Sequence, residues 1–557
     1  MKTKITLPAL IILLLMFFTG SSFSQGTYYL WWDSTYTASG LSLDSAVAMA
    51  LDNSGYLYVT GASLGSNGYP DIVTIKYNTV TGAVVWTSRF DRTSLPDVPK
   101  AIAVDNKSGA VYVTGYSYWA QPYNRDFVTI KYDPATGDTV WTRRFNSLAN
   151  GGDESYAIGI DALGNVFVTG NSDQSGSMTA DIVTIKYTPS GASTTDVLPM
   201  PNFQKPTALK IDAAGNVYII GITRTNGNNP VNEDYITIKY NNNLSFQWSK
   251  VYNGPANIRD NATALAVDGS GNAYVTGFSY WTGQYYNYVT IKYASNGDSL
   301  GAASYDGPLH NSDYPTDIAV DNSGNVYVTG YSVQAVAPSM IYDYATVKYN
   351  SLLNQQWIQR YNGPGNGDDK ATAIAVDNLG NVYVTGFSMG TLLNYDYLTI
   401  KYTTAGVVDT TLRQNGNANM NDYATDVAIG PNYTIFVTGA ANFTGSGLDY
   451  YTLRYSPNPY LGTPVSNQVP ENFALAQNYP NPFNPATTIK FDIAKTSLVN
   501  LTIFNIAGRE IEVLANRTMN PGSYSLNWDA GRFSSGIYFY RLTAGDFVQT
   551  KKMMLIK

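Results

Sequence analysis

The stretch "AVDNSGNVYVTG" (residues 319–330) decides the fold, because nearly the same sequence, "AVDNLGNVYVTG" (residues 375–386), follows 56 residues later. The glycine that ends "VTG" recurs at intervals of 54, 55, 51, 56, 53, 56 and 53 residues. The eight glycines are Gly61, Gly115, Gly170, Gly221, Gly277, Gly330, Gly386 and Gly439. A period of this size is typical of propeller blades, so the sequence predicts eight similar units.

Each complete unit has the pattern of four short strands, which we label a to d. Those of the sixth unit are "TDIAV" (316–320), "NVYVTGYS" (325–332), "DYATVKYN" (343–350) and "QQWIQRYN" (355–362). Alternating Val, Tyr and Thr favour strands over helices. Four antiparallel strands per unit form the blade of a β-propeller.

The segment "DNSGN" (residues 321–325) joins strand a to strand b. We expect the Asp321 side chain to accept backbone amides, and Gly324 to take a positive φ without steric cost. A calcium loop is the alternative, but it needs several acidic ligands and the segment has one. The segment is therefore interpreted as a hairpin turn.

The eighth unit lacks its strand d, since "SPNPYLGTP" follows Tyr455. At the other end of the repeats, "YYLWWDSTY" (residues 28–36) resembles "AVVWTSRF" (residues 83–90), with Trp32 aligned to Trp86. An N-terminal strand that completes the last blade would close the ring and protect an exposed edge. We therefore predict an all-β chain: an eight-bladed propeller of four-stranded blades closed in this way, followed by a small β-sandwich.

Composition excludes several kinds of chemistry. The chain has no cysteine and one histidine, His310, so it lacks disulfides, thiolate metal sites and most of the usual hydrolase and zinc chemistries. Acidic residues outnumber basic ones by 41 to 34, for a net charge of −7. We therefore expect no nucleic-acid partner, because nucleic-acid binding favours basic patches.

The domain boundaries follow shifts in composition. Lys2 and Lys4 precede an apolar run and "SSFSQ", which predicts a signal peptide over residues 1–24 rather than a membrane anchor. We assign residues 25–455 to the propeller and residues 456–472 to a Pro- and Asn-rich linker. Residues 473–557 alternate apolar and polar residues in about seven runs, as in a β-sandwich. No later stretch is apolar enough to cross a bilayer, so we expect no transmembrane segment in the mature chain.

Residues 361–386, "YNGPGNGDDKATAIAVDNLGNVYVTG", resemble the bacterial β-propeller repeat known as SBBP. The resemblance covers approximately residues 27–455 and recurs in each unit. The family name implies seven blades, whereas this sequence has eight units. The resemblance implies a fold and no particular activity.

The C-terminal module resembles the sorting domain of the type IX (Por) secretion system of Bacteroidetes-like bacteria. The matching stretches are "NYPNPFNP" (478–485), "IFNIAGRE" (503–510), "GIYFYRL" (536–542) and "KKMMLIK" (551–557). This resemblance implies contact with the type IX machinery and export to the cell surface or the medium. The family implies removal of the domain in many members and attachment to surface lipopolysaccharide in some.

A cation recurs in strand c of every unit. These residues are Lys76, Lys131, Lys186, Lys239, Lys292, Lys348, Lys401 and Arg454. A catalytic lysine would occur once, so we interpret the eight as structural, in hydrogen bonds or ion pairs between blades. The suggested partner is the aspartate that ends strand a, such as Asp321.

A carboxylate recurs eight residues before that aspartate, where strand d crosses to the next strand a. The row is Asp44, Asp97, Asp153, Asp260, Asp313, Asp369 and Asp422, with Gln204 as the exception. The preferred interpretation is one turn cap per blade. The alternative is a ring of carboxylates that holds a cation such as Ca²⁺ at the channel mouth. Apart from this alternative, we predict no metal and no cofactor.

The d–a and b–c connections are long and emerge on one face, which we call the long-loop face. Its loops carry aromatic residues among Asn, Gln and Gly, and the candidates for ligand contact are Tyr118, Trp119, Tyr123, Tyr280, Trp281 and Tyr285. Such side chains suit carbohydrate stacking or protein contact. Alternatively, Trp119 and Trp281 only pack the loops onto the blades.

The functional prediction is a secreted or cell-surface propeller without catalytic residues, which binds glycan or protein through its long-loop face. The propeller has two glutamates, Glu154 and Glu233, whereas glycosidases need paired carboxylates at a defined separation. The non-repeating residues His310, Glu233 and Arg125 are too scattered to form a motif. A polysaccharide lyase or glycosidase and a purely structural adhesion component are the alternatives.

Overall fold

The computed structural model describes residues 28–38, 42–92, 95–119, 124–174, 180–198, 202–224, 232–281, 283, 285–336, 340–457, 470–519, 521–530 and 533–556. The predicted signal peptide and most of the predicted linker lie outside these residues. The described chain is built of β-strands, with one 3₁₀ turn at Pro431–Tyr433.

Residues up to Ser456 form eight blades in a ring, each with the antiparallel strand order a-b-c-d. A short parallel pairing of residues 42–43 with residues 447–448 joins blades 8 and 1 into one sheet. In chain order the strands are β1 (Tyr29–Tyr36), β2 (Ser42–Leu51), β3 (Tyr56–Leu64), β4 (Pro70–Asn78), β5 (Val84–Phe90), β6 (Asp97–Val104), β7 (Val111–Tyr118), β8 (Arg125–Tyr132), β9 (Thr139–Phe145), β10 (Asp153–Ile160), β11 (Val166–Ser172), β12 (Asp181–Tyr187), β13 (Ser193–Leu198), β14 (Gln204–Ile211), β15 (Val217–Arg224), β16 (Glu233–Tyr240), β17 (Phe246–Tyr252), β18 (Asp260–Val267), β19 (Ala273–Tyr280), β20 (Tyr286–Tyr293), β21 (Ser299–Tyr305), β22 (Asp313–Val320), β23 (Val326–Ala335), β24 (Ile341–Tyr349), β25 (Gln355–Tyr361), β26 (Asp369–Val376), β27 (Val382–Met389), β28 (Tyr395–Tyr402), β29 (Val408–Gln414), β30 (Tyr423–Ile429), β31 (Ile435–Phe443) and β32 (Gly447–Ser456). The predicted eight-bladed propeller is confirmed.

The N-terminal strand completes the last blade, as predicted. Strand β1 pairs antiparallel with β32 and places Trp32 opposite Arg454, just as Trp86 lies opposite Lys76 in the first blade. The Trp32 indole N–H donates to the carbonyl of Thr79 in the first blade at 2.9 Å. This strand therefore both completes blade 8 and joins it to blade 1.

The core lies between blades rather than in one centre. Eight buried clusters alternate around the ring, each formed by two neighbouring blades. Between blades 6 and 7, for example, Tyr327 and Tyr344 pack with Val382, Val384 and Leu398. Because each sheet buries both faces against its neighbours, no blade has a complete core alone.

The glycine of "VTG" lies opposite a β-bulge in the innermost strand. In blade 6 the register shifts between Pro315 and Asp317, so that Thr316 is the additional residue. A Cβ atom on Gly330 would lie 2.1 Å from the carbonyl oxygen of Tyr314. The same bulge occurs in all eight blades, with 2.0 to 2.2 Å at the equivalent glycine. Only glycine fits this close approach of two backbones.

The C-terminal residues form the predicted seven-stranded sandwich. Its strands are β33 (Ala474–Leu475), β34 (Ala486–Ile493), β35 (Ser497–Asn505), β36 (Glu510–Met519), β37 (Gly522–Asp529), β38 (Gly536–Ala544) and β39 (Phe547–Leu555). One sheet has the order β33-β34-β37 and the other β36-β35-β38-β39. A core around the fully buried Trp528 lies between them.

Candidate functional site

In the repeated a–b turn, both carboxylate oxygens of the aspartate accept hydrogen bonds from nearby residues. Asp321 Oδ1 accepts the backbone N–H groups of Ser323 and Asn325 at 2.9 Å. Its Oδ2 accepts the Asn325 amide at 2.8 Å and the Tyr327 hydroxyl at 2.9 Å. Gly324 has a φ of 77°. The repeated sequence therefore builds a hairpin turn whose carboxylate is already satisfied.

The recurring cation of strand c connects one blade to the next. Lys348 Nζ donates to the carbonyl of Thr404 in blade 7 at 2.9 Å, and the Trp357 indole N–H donates to the same oxygen at 3.1 Å. Equivalent bonds, each to the c–d turn of the following blade, are made by Lys76, Lys131, Lys186, Lys239 and Lys292. Arg454 donates to Val80 at 3.0 Å and so connects blade 8 to blade 1.

The suggested acceptor of this cation is corrected by the geometry. Among the described residues, Lys348 and its equivalents donate to backbone carbonyls. The strand-a aspartates, such as Asp321, are not the acceptors, because their oxygens already accept hydrogen bonds within their own turns. Lys401 differs, since it forms an ion pair with Asp409 at 2.8 Å. Asp409 belongs to the same blade as Lys401, so the bond to the next blade is made by the other seven cations.

The row of carboxylates at the d–a crossings consists of buried turn caps. Asp313 accepts the backbone N–H of Gly307 at 2.7 Å, and Asp422 accepts that of Gly416 at 2.6 Å. In the part of the chain that is described, one trio of carboxylates lies within 4.8 Å, namely Asp71, Asp91 and Asp97, and it includes a single member of the row. The alternative, a ring of carboxylates that holds Ca²⁺, stays a prediction.

Burial of these caps gives the propeller an unusual pH dependence. Burial raises the pKa of Asp97, Asp153, Asp313 and Asp422 to about 6, above the 3.8 of a free aspartate. Between these values the folded state binds more protons than the unfolded state, so stability falls as pH rises from about 4 to about 6. We expect a higher Tm at pH 5 than at pH 7.5 in calorimetry. A smaller gain in Asp313→Asn would assign the effect to the caps, whereas an unchanged or lower Tm at pH 5 would contradict it.

Two of the aromatic candidates in blade 2 are engaged with other side chains. The guanidinium groups of Arg92 and Arg144 lie 3.5 and 4.1 Å from the ring centre of Trp119. Tyr118 contacts Tyr116 edge-on at 6.1 Å. Tyr123 lies outside the described residues. Trp119 therefore packs with arginines rather than presenting an isolated ring.

The candidates in blade 5 surround a short b–c loop. The backbone N–H of Trp281 donates to Tyr285 at 3.1 Å, and the Tyr285 side chain is exposed. Tyr280 contacts Tyr286 edge-on at 5.4 Å. Tyr286 is the outermost member of a larger aromatic group.

This group, which we call the aromatic belt, consists of Phe278, Tyr286, Tyr314, Tyr331 and Tyr342. Their ring centres follow one another at 5.1 to 5.4 Å from Tyr286 to Phe278, Tyr314, Tyr331 and Tyr342. The rings are half-buried, at the ends of strands on the long-loop face. Cross-strand pairing explains the grouping, because Tyr314 lies directly opposite Tyr331. Sequence reasoning searched the loops and missed these strand residues.

Each of the non-repeating residues Arg125, Glu233 and His310 pairs with its own neighbours, and no described contact joins the three. Arg125 forms an ion pair with Glu154, which also accepts the Tyr156 hydroxyl. Glu233 binds Arg224 at 3.1 Å and Arg259 at 2.9 Å. His310 contacts Asp306 at 2.7 Å and is exposed. The hydrogen bond to Asp306 raises the pKa of His310.

The central channel carries two carboxylates that sequence reasoning also missed. Asp317 accepts the N–H of Ile374 and Asp426 that of Met49, both at 2.9 Å. Burial, together with the charge of the nearby Asp317, raises the pKa of Asp426 to about 6. The signal was a departure from the repeat, since the other six blades have alanine here: Ala48, Ala101, Ala157, Ala208, Ala264 and Ala373. Both carboxylates bridge neighbouring innermost strands, and Asp317 lines a cavity of about 240 Å³.

Eight blades and a sandwich tail define a β-propeller protein with a C-terminal module, and family comparisons specify both parts. The model of a secretion system C-terminal sorting domain matches residues 477–557. The model of a beta-propeller repeat, SBBP, matches residues 140–176, 307–332 and 356–394. The propeller thus contains SBBP repeats, and the C-terminal residues form a type IX sorting tail, which directs export to the cell surface or the medium. In the described part, no helix is long and apolar enough to cross a membrane.

Comparisons with solved structures give remote likenesses. PorZ, an essential surface component of the type IX secretion system of Porphyromonas gingivalis, is 16% identical with a TM-score of 0.40. That match covers 92% of this chain but only 59% of PorZ. The WD40 domain of SCAP from fission yeast is 10% identical over 77% of this chain and 99% of its own, with a TM-score of 0.41. An ulvan polysaccharide lyase is 12% identical over 74% of this chain and 95% of its own, with a TM-score of 0.39. No curated protein sequence matches the chain.

Proposed function

We propose that this protein is a non-catalytic propeller that, after export, binds glycan through its long-loop face. The observation that carries the proposal is the aromatic belt. The belt is a continuous series of half-buried rings, at positions where other blades form the same strands without an aromatic residue. Blade 1, by comparison, has Ser45 and Ala62 at the positions of Tyr314 and Tyr331.

The chemistry of the belt suits sugars. Aromatic faces stack on the apolar faces of pyranose rings, and nearby polar groups bind the hydroxyls. Lys370 lies 4.7 Å from the ring centre of Tyr342 and pairs with Asp368 at 2.7 Å. The belt thus combines stacking surfaces with a donor and an acceptor. A protein ligand is the competing occupant of such a surface.

A glycan array probed with the full propeller tests the proposal. The double variant Tyr314→Leu/Tyr342→Leu removes two rings while keeping apolar volume. We expect it to weaken glycan binding about tenfold or more, as for aromatic contact residues elsewhere. The matched control is Tyr69→Leu on the b–c side of blade 1, where no belt exists, and it should bind as the parent does.

Incubation of the same glycans with the protein tests catalysis directly. We expect no new reducing ends and no unsaturated products. Turnover of a polysaccharide would overturn the non-catalytic assignment, and the absence of any glycan binding would overturn the ligand class.

A further inference from the structure

Lys100 of blade 2 and Lys205 of blade 4 lie close together on the long-loop face, and neither belongs to the repeated pattern of the blades. Three residues after the turn-cap position at the start of each innermost strand, five blades have threonine. In four of them the threonine hydroxyl donates a hydrogen bond to the innermost strand of the following blade. Thr316, for instance, donates to Ala371 at 3.0 Å. Blade 2 has Lys100 there and blade 3 has Tyr156. Both give up this bond between blades, so packing does not explain them.

The surroundings of Lys100 form a cationic pocket with aromatic walls. Its ammonium lies 5.5 Å from the ring centre of Tyr116 and 5.9 Å from that of Tyr156. Lys205, from blade 4, lies 4.6 Å from the same Tyr156 ring. Burial lowers the pKa of Lys100; the charge of Glu154 opposes this shift, and the charge of Lys205 adds to it. The two ammonium groups are thus close enough to repel each other.

Neither ammonium forms an ion pair in the part of the chain that the structure describes, although the charge of Glu154 acts on Lys100. The nearest carboxylate on this face, Glu154, is already occupied by Arg125 and by the Tyr156 hydroxyl. Neither Lys100 nor Lys205 has an ion pair or hydrogen bond with a described residue. Two half-buried, mutually repelling cations without an ion-pair partner among the described residues are the electrostatic complement of an anionic group.

We propose that Lys100 and Lys205 bind the anionic group of an acidic polysaccharide at this end of the long-loop face. The proposal rests on the glycan-binding function above and specifies the class of glycan. The rings of Tyr116, Tyr118 and Tyr156 provide stacking surfaces beside the charge. A uronate carboxylate and a sulfate ester share the chemistry required.

The net charge of the chain favours a local site over general attraction. At −7 the protein as a whole repels polyanions, so an anionic chain that binds must do so through a local cluster. A nucleic acid would require an extended basic surface.

The test compares the parent with Lys100→Gln/Lys205→Gln on polygalacturonate, dextran sulfate and neutral dextran. We expect the parent to bind polygalacturonate or dextran sulfate more tightly than neutral dextran. The affinity of the variant for the charged chain should be at least tenfold lower than that of the parent. Raising the ionic strength from about 0.15 M to about 1 M should weaken the parent and hardly change the variant. Polygalacturonate carries carboxylates and dextran sulfate carries sulfate esters, so comparing the two shows which anionic group the site prefers.

The matched control is Lys107→Gln/Lys250→Gln, which makes the same change in net charge at exposed positions away from this pocket. It should bind as the parent does. If the parent binds only neutral glycans, or if both double variants lose equal affinity, this inference fails while the proposed function stands. Preference for DNA or an acidic protein over every polysaccharide also overturns it, and binding of no glycan overturns both.

Discussion

Deletion of residues 25–37 is expected to lower the Tm of the propeller by more than about 10 °C. The deletion removes β1, so the edge of β32 loses its partner and the cluster between blades 8 and 1 loses Trp32. Both effects fall on the one junction that joins the two ends of the ring. Thermal unfolding followed by calorimetry measures the change, and an undiminished Tm would disprove closure by this strand.

Two adjacent tryptophans provide the single-residue version of this experiment. Trp32 is 9% exposed, and its ring lies 6.0 Å from Tyr77 and 6.1 Å from Phe436, whereas Trp31 is 37% exposed. Trp32→Ala should cost about 3–5 kcal/mol, as for other buried aromatic residues. Trp31→Ala should cost about 1 kcal/mol, since it loses an exposed hydrogen bond to Val80 and a cation–π contact with Arg454. Equal losses would mean that the two faces of β1 have been assigned wrongly.

Gly330→Ala should be the most damaging single-methyl change in a blade, at about 3 kcal/mol or more. The new Cβ would lie 2.1 Å from the Tyr314 carbonyl oxygen and 2.6 Å from the Tyr288 hydroxyl. The Tyr314 carbonyl belongs to the backbone of a bulged strand. This backbone cannot move without breaking the pairing of Pro315 with Gly330 and of Asp317 with Thr329. Chemical denaturation of the purified propeller measures the loss.

The control for this substitution is Gly269→Ala, in the a–b turn of blade 5. A Cβ there meets no atom within 4 Å, and its backbone does not have the positive φ that disfavours side chains. We expect a change within about 0.5 kcal/mol. If Gly330→Ala were equally harmless, the bulge would not be the reason that every unit ends its motif with glycine.

Local spacing was enough to predict the blades, the closing strand and the hairpin turn at Asp321. The partner of Lys348 could not be predicted, because the acceptor is the backbone carbonyl of Thr404, and backbone carbonyls have no sequence signature. The pairing of Arg125 with Glu154 was missed for a different reason. Residues far apart in sequence meet when neighbouring blades pack, and this proximity depends on the angle between sheets.

The aromatic belt illustrates a further limit. Strand residues such as Tyr314 and Tyr331 fit the alternating pattern of any half-buried strand, so their periodicity does not distinguish a ligand surface from a core. Comparison of one position across the eight units would have found them. The same comparison finds Asp317 and Asp426 in the channel and Lys100 among the threonines.

The pairing of β1 with β32 also determines how the ring responds to tension. Tyr29, where the described chain enters the ring, lies opposite Ser456, where the chain leaves it. A force that draws these two points apart therefore loads the hydrogen bonds one pair at a time, beginning at Tyr29, instead of shearing all of them together. A junction that resists heat through buried Trp32 would thus unzip under a small pull along the chain. For a protein whose tail is engaged by export machinery, the direction of pulling matters as much as the free energy of unfolding.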